Sequence, residues 1–156
     1  MRDKRFIAEH RGGTLNREQH RQLINWACVC AEHVLPLFDK KIDVRLVNAL
    51  FIAREWAIGK VPVGDAMKAS LGAHAVAREL TDPVSIAIAR AVGHSVATAH
   101  MADHSLGAAL YALKALKNAG KSTDTERKWQ NEQLPSEIRE LVLDTRMKKE
   151  KAFKIL

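Results

Sequence analysis

Between Asp82 and Gly120 the chain carries four charged residues, Arg90, Asp103, Lys114 and Lys117, in a run otherwise dominated by Ala, Val, Leu, Ile and Gly. A helix this apolar on every side must be surrounded, either by the rest of the chain or by lipid. The interruptions at Arg90, His94, His100, Asp103 and His104 argue against lipid, because ionisable groups are costly in hydrocarbon. A protein core is the better solution, and everything else in the chain must then cover this segment. Asp82-Pro83 is a start signal, an N-cap followed by proline at the first helical position. Asp103 is read as a second cap, which divides the segment into a fourth helix over 82–101 and a fifth over 104–118. One bent helix across both stretches is the alternative.

The covering elements read as helices too. Gly12-Gly13 makes a turn, and Asn16 with Gln19 three residues on forms a capping box. Leu23, Trp26, Ala27, Cys30, Val34 and Leu37 follow at helical spacing, so a first helix runs from about Asn16 to Phe38, with Pro36 kinking or stopping it. Asp43 caps a second helix carrying Leu46, Val47, Leu50 and Phe51, and Gly59 ends it. Pro62 opens a third, running to about Leu80. A short helix is expected around Trp129, and Leu134-Pro135-Ser136 opens a last amphipathic helix through Ile138, Leu141 and Val142. No run alternates with period two long enough to make a strand. The reading is an all-α single domain over 1–156, about six helices around a central Ala-rich apolar pair, with 1–13 and 148–156 as polar ends.

Composition fits that reading. Hydrophobic residues make up 47% of the chain and aromatic residues 5%, so small aliphatic side chains must build the core. Ala and Leu lose little on entering a helix. Cys28 and Cys30, two residues apart on a helix, point about 200° away from each other, which is incompatible with an ordinary disulfide between them. They are expected to be reduced and buried. The opening MRDKRFIAEHRGG has no apolar leader core, and a cytoplasmic location without membrane association is the expectation.

The net charge of +7 admits nucleic acid, an anionic surface or an acidic protein as partner. The excess is dispersed. Its densest run, Lys148, Lys149, Lys151 and Lys154, is broken by Glu150 and suits the negative end of a helix dipole.

The strongest candidate for chemistry is the block His94, His100, Asp103 and His104, with His74 as an outlying member. His100 and His104 share one face of an unbroken helix, the spacing of two metal ligands. The sequence there is HMADH, however, and lacks the glutamate of a zinc-protease helix. Neutral imidazoles hydrogen-bonded inside a packed core are the favoured reading, and a metal site built on these four residues is the alternative. No cofactor is expected. Ser70, Ser95 and Ser105 have no nucleophile elbow around them, Cys28 and Cys30 have no obvious basic neighbour except His33, and there is no phosphate-binding glycine motif. Trp26, Trp56 and Trp129 read as core residues.

Four stretches carry a resemblance: HRGGTLNREQHRQLINWACVCAEHVLPLF (His10 to Phe38), AREWAIGKVPVGDAMKASLGAHAVARE (Ala53 to Glu79), GHSVATAHMADHSLGAALYALKAL (Gly93 to Leu116) and WQNEQLPSEIRELVL (Trp129 to Leu143). Together they resemble the immunity family five-like proteins found with bacterial polymorphic toxin systems. The HMADH block is the most specific part. The resemblance implies a non-catalytic protein that binds and neutralises a cognate toxin. His74, His94, His100, Asp103, His104, Trp26 and His33 match the family's pattern, with no role attached to them. A basic chain fits an acidic or apolar toxin surface better than a basic nuclease cleft. A metal-binding protein or metal-dependent helical enzyme using His94, His100 and His104 ranks behind this reading, a basic helical nucleic-acid binder lower still, and homo-oligomer formation is left open.

Overall fold

Four of the helices start where a side chain caps the first amides. A computed structural model describes residues 3–153; Met1, Arg2 and the end of the basic run, Lys154, lie outside the described residues. The helices are α1 (Arg17–Val34), α2 (Val44–Ala57), α3 (Val63–Glu79), α4 (Pro83–Ala97), α5 (His104–Asn118), α6 (Thr123–Glu132) and α7 (Ser136–Phe153). The Asn16–Gln19 capping box is complete, with both reciprocal hydrogen bonds made. Asp43 and Asp82 accept from the amides of Arg45 and Ser85. Ser122 caps α6 by accepting from the Thr125 amide.

The chain is all-helical, with seven α-helices among the described residues where the sequence suggests about six. The short helix expected around Trp129 is α6, a complete helix of mixed polarity with Glu126 and Gln130 buried. The first helix is also shorter than expected. Pro36 lacks an amide hydrogen, and Leu35–Leu37 tighten into a 3-10 turn in place of three more helical residues. Helices four and five are separate, yet Asp103 does not close the gap by capping. It occupies the position before His104 in helical backbone geometry and makes no capping hydrogen bond. No strand occurs among the described residues; an isolated bridge joins Ala8 and Leu15. No helix among them is long and apolar enough to cross a membrane.

α4 packs against α1, α2, α3 and α5, and α5 also meets α1, α6 and α7. α1 lies between two separate apolar clusters. Ile24, Cys28 and Ala31 face one, built with α2, α3 and α4. Leu23, Trp26 and Cys30 face another, built with α5, α7 and the N-terminal Phe6 and Leu15. Both thiols are free and fully buried. Burial drives the Cys28 thiol up to about 12 and raises Cys30 as well. Thiolate is the reactive form. A thiol reagent at neutral pH is therefore expected to leave both groups unmodified in the folded protein and to count two after denaturation without reductant. Rapid native labelling of either one would contradict the packing.

Val47, Phe51 and Leu71, which fall within the apolar spacing, are solvent-exposed. α2 buries Leu46, Ala49, Leu50, Ala53 and Ala57 on one side and leaves Val44, Val47, Phe51 and Ile58 outside. Val63, Met67 and Leu71 form a similar exposed row on α3.

Candidate functional site

Three neighbouring helices place histidines side by side. His74 reaches across from α3 to Gly93 on α4, and His94 reaches from α4 to Gly107 on α5. A Cβ on Gly93 would sit 2.6 Å from His74 Nε2, and one on Gly107 would sit 2.6 Å from His94 Nδ1. Each glycine is the seat of the ring from the preceding helix. Gly72, by contrast, has open space where a Cβ would be.

The rings are tied together polarly. Arg90 Nη1 donates to His74 Nδ1 at 2.7 Å. Guanidinium only donates, so this nitrogen carries no hydrogen and the neutral ring is protonated at Nε2. His94 Nδ1 faces His104 Nδ1 at 3.0 Å, an arrangement in which one donates and the other accepts. His74 meets His94 edge-on with ring centroids 5.5 Å apart. On the other side Tyr111 lies nearly parallel to His94 at 5.2 Å.

Burial, followed by the positive neighbours, holds His74 down to about 4 and His94 to about 3, from an ordinary 6.5. Both are neutral at pH 7. Below about pH 6.5 the unfolded chain takes up protons that the folded chain refuses. The stabilisation is therefore complete above that value and is lost as pH falls toward 4. The melting temperature is expected to drop between about pH 7 and pH 4.5, and His94→Ala should flatten this dependence. Parallel profiles for wild type and variant would remove the assignment.

The structure separates His100 from this group. It is exposed after the end of α4 and lines a cleft with His20 and Trp56. Because the helix breaks between Ala97 and His104, the four-residue spacing of His100 and His104 no longer places them on one face. Among the described residues, no group of three or more His, Cys, Asp or Glu side chains is arranged to hold a metal ion. His100→Ala is expected to change stability by no more than about 0.5 kcal/mol.

The hydroxyls weighed as nucleophiles are buried and donate to carbonyls: Ser95 to Ala27 and Ala91, Ser105 to Ala102, Ser70 to Gly93. His33 lies far along α1 from the histidine row. Its Nδ1 contacts Glu126 Oε2 at 2.6 Å, and its ring stacks on Trp129 with centroids 3.6 Å apart. Trp26 is buried and donates its indole hydrogen to the Gln130 carbonyl. Trp56 is half-buried beside His20, at 4.7 Å between ring centroids.

A second polar arrangement has no counterpart in the sequence reading. Arg146 on α7, only 3% exposed, donates to Glu150 Oε1, Asn131 Oδ1 and Gln130 Oε1 at 3.1, 2.6 and 2.8 Å. Gln130 passes the network on to the Ala109 carbonyl of α5, and Arg127 donates to the same Glu150 oxygen at 2.8 Å. The clue available in the sequence is the i, i+4 pair Arg146 and Glu150, which looks like an ordinary exposed ion pair.

Fold and sites together define an all-helical protein whose buried polar side chains serve its own packing. The chain belongs to the Imm-5 like putative immunity protein family, whose model matches residues 13–137. No curated protein and no solved structure matches it. The histidine row, the α1 tryptophan and α6 all fall within the matched span.

Proposed function

We propose that this chain is a non-catalytic cytoplasmic inhibitor that binds a cognate bacterial toxin and neutralises it. Membership of the immunity family over residues 13–137 carries the reading. Two features of the molecule support it. Its buried hydroxyls and thiols are engaged in packing, and its solvent face carries rows of large apolar side chains on α2 and α3 that the fold itself does not use. Exposed apolar groups in rows mark surfaces that meet a partner more often than scattered ones do. The histidine row, seated on glycines and held neutral, is assigned to fixing α3, α4 and α5 in register.

The test is protection. Where a toxin domain is encoded next to this chain, its expression alone should arrest growth, and co-expression of this chain should restore it. The two purified proteins should also co-elute at a fixed ratio. Growth arrest that persists despite abundant folded inhibitor would overturn the reading.

A further inference from the structure

The geometry points to a binding site for an acidic segment of the partner protein, in the cleft between the N-terminal segment and the start of α1. This inference rests on the immunity reading and names the surface that would perform it. Two adjoining hollows, of about 460 and 380 Å³, share Ala8, His10, His20 and Trp56 as common wall.

The charged groups of this cleft are unbalanced. Arg11 lies in one hollow, and Arg17 and Arg21 in the other. The acidic side chains here are Glu9, which lines the second hollow, and Glu18, whose carboxylate stands 3.7 Å from Arg21 with both groups well exposed. A surface pair at that distance neutralises little. Arg21 Nε is buried without a hydrogen-bond partner among the described residues, but the side chain as a whole is 37% exposed and lines the second hollow, where it contributes positive charge. The positive end of the α1 dipole lies in the same wall, at Asn16 and Arg17.

His20 contributes orientation. Its Nε2 donates to the Thr98 carbonyl at 2.6 Å, and burial lowers its proton affinity. The ring is therefore neutral, with Nδ1 left as an acceptor, and it holds Trp56 as an aromatic floor. Val63, at the start of α3, also lines the first hollow. Met67 and Leu71 continue from there at four-residue spacing along the exposed face of α3. Carboxylates among the arginines, followed by apolar side chains on Trp56, Val63, Met67 and Leu71, is the pattern that this surface complements. The concave floor admits a chain segment with a few side chains, which favours a protein over a nucleic-acid duplex.

Binding of an inactivated form of the toxin domain against which this chain protects is the experiment, read by calorimetry at two salt concentrations. Wild type should bind, more weakly as salt rises. Arg11→Glu with Arg17→Glu should weaken binding at least 100-fold, and Met67→Asp with Leu71→Asp at least 10-fold. All four positions are exposed, and unchanged melting temperatures would exclude unfolding. Lys148→Glu with Lys149→Glu on α7 should leave affinity unchanged. Full-affinity binding by both cleft variants would overturn this surface while leaving the immunity reading intact, and loss on Phe51→Asp alone would move the interface to α2. Wild type that ignores the toxin but binds a 12-nucleotide single-stranded RNA through Arg11 and Arg17 would overturn both readings.

Discussion

Arg146→Ala is expected to destabilise the protein by about 3–5 kcal/mol, the range for breaking a buried charge network from one side. The guanidinium lies at the junction of α6 and α7 and satisfies three acceptors, Glu150, Asn131 and Gln130. Truncation leaves the Gln130 and Asn131 amide oxygens without this donor and opens a cavity where the side chain was. It also leaves Glu150, 2% exposed, dependent on Arg127 alone. Against a typical stability of about 5–15 kcal/mol, the loss is severe. Arg146→Lys should rescue little, because an ammonium cannot reach three acceptors along fixed planar directions. Denaturant unfolding monitored through the tryptophans gives the measurement. A cost below about 1 kcal/mol would mean that the network is incidental.

The second large effect is a reversal of sign between glycines. Gly to Ala inside a helix ordinarily stabilises by about 0.5–1 kcal/mol. Gly72→Ala, with nothing within 4 Å of the new methyl, should show that gain. Gly93→Ala should lose about 1–3 kcal/mol instead, since the methyl would overlap the His74 ring. Removing the ring tests the cause. His74→Ala combined with Gly93→Ala should be less damaging than the sum of the two single changes. Gly107→Ala and His94→Ala form the matching cycle on α5. Strict additivity in both cycles would refute the seats.

The helices were legible because their signals are local. Asn16 and Gln19, Asp43, and Asp82 with Pro83 each announce a boundary within four residues, and each serves in the structure as read. Pro36 was a correct signal with an underestimated effect, ending α1 at Val34. The histidine block was legible as a cluster but not in its membership. His100 and His104 stand four apart in sequence, and only the break between α4 and α5 decides that they part company. His74 joins His94 through a ring seated on Gly93, nineteen positions away. Nothing in the sequence distinguishes a glycine that seats a ring from one, such as Gly72, beside open space. The Arg146 network was hidden for the same reason. Gln130 and Asn131 meet it only after α6 and α7 have folded back on each other.

The division of the apolar interior by α1 has a consequence for how such a chain can change over generations. Leu23, Trp26 and Cys30 belong to one cluster and Ile24, Cys28 and Ala31 to the other, and the buried members of the two do not overlap. A volume change on the α2–α3 side falls first on the cluster of Ala53, Ala66 and Ala73, whereas Ile138 and Val142 on α7 pack in the other. The two clusters are coupled through α1 and through the packing of α4 on α5. If the proposed immunity function holds, the α2–α3 half with its exposed rows is the part to be remodelled as the toxin changes, while the α6–α7 half is retained.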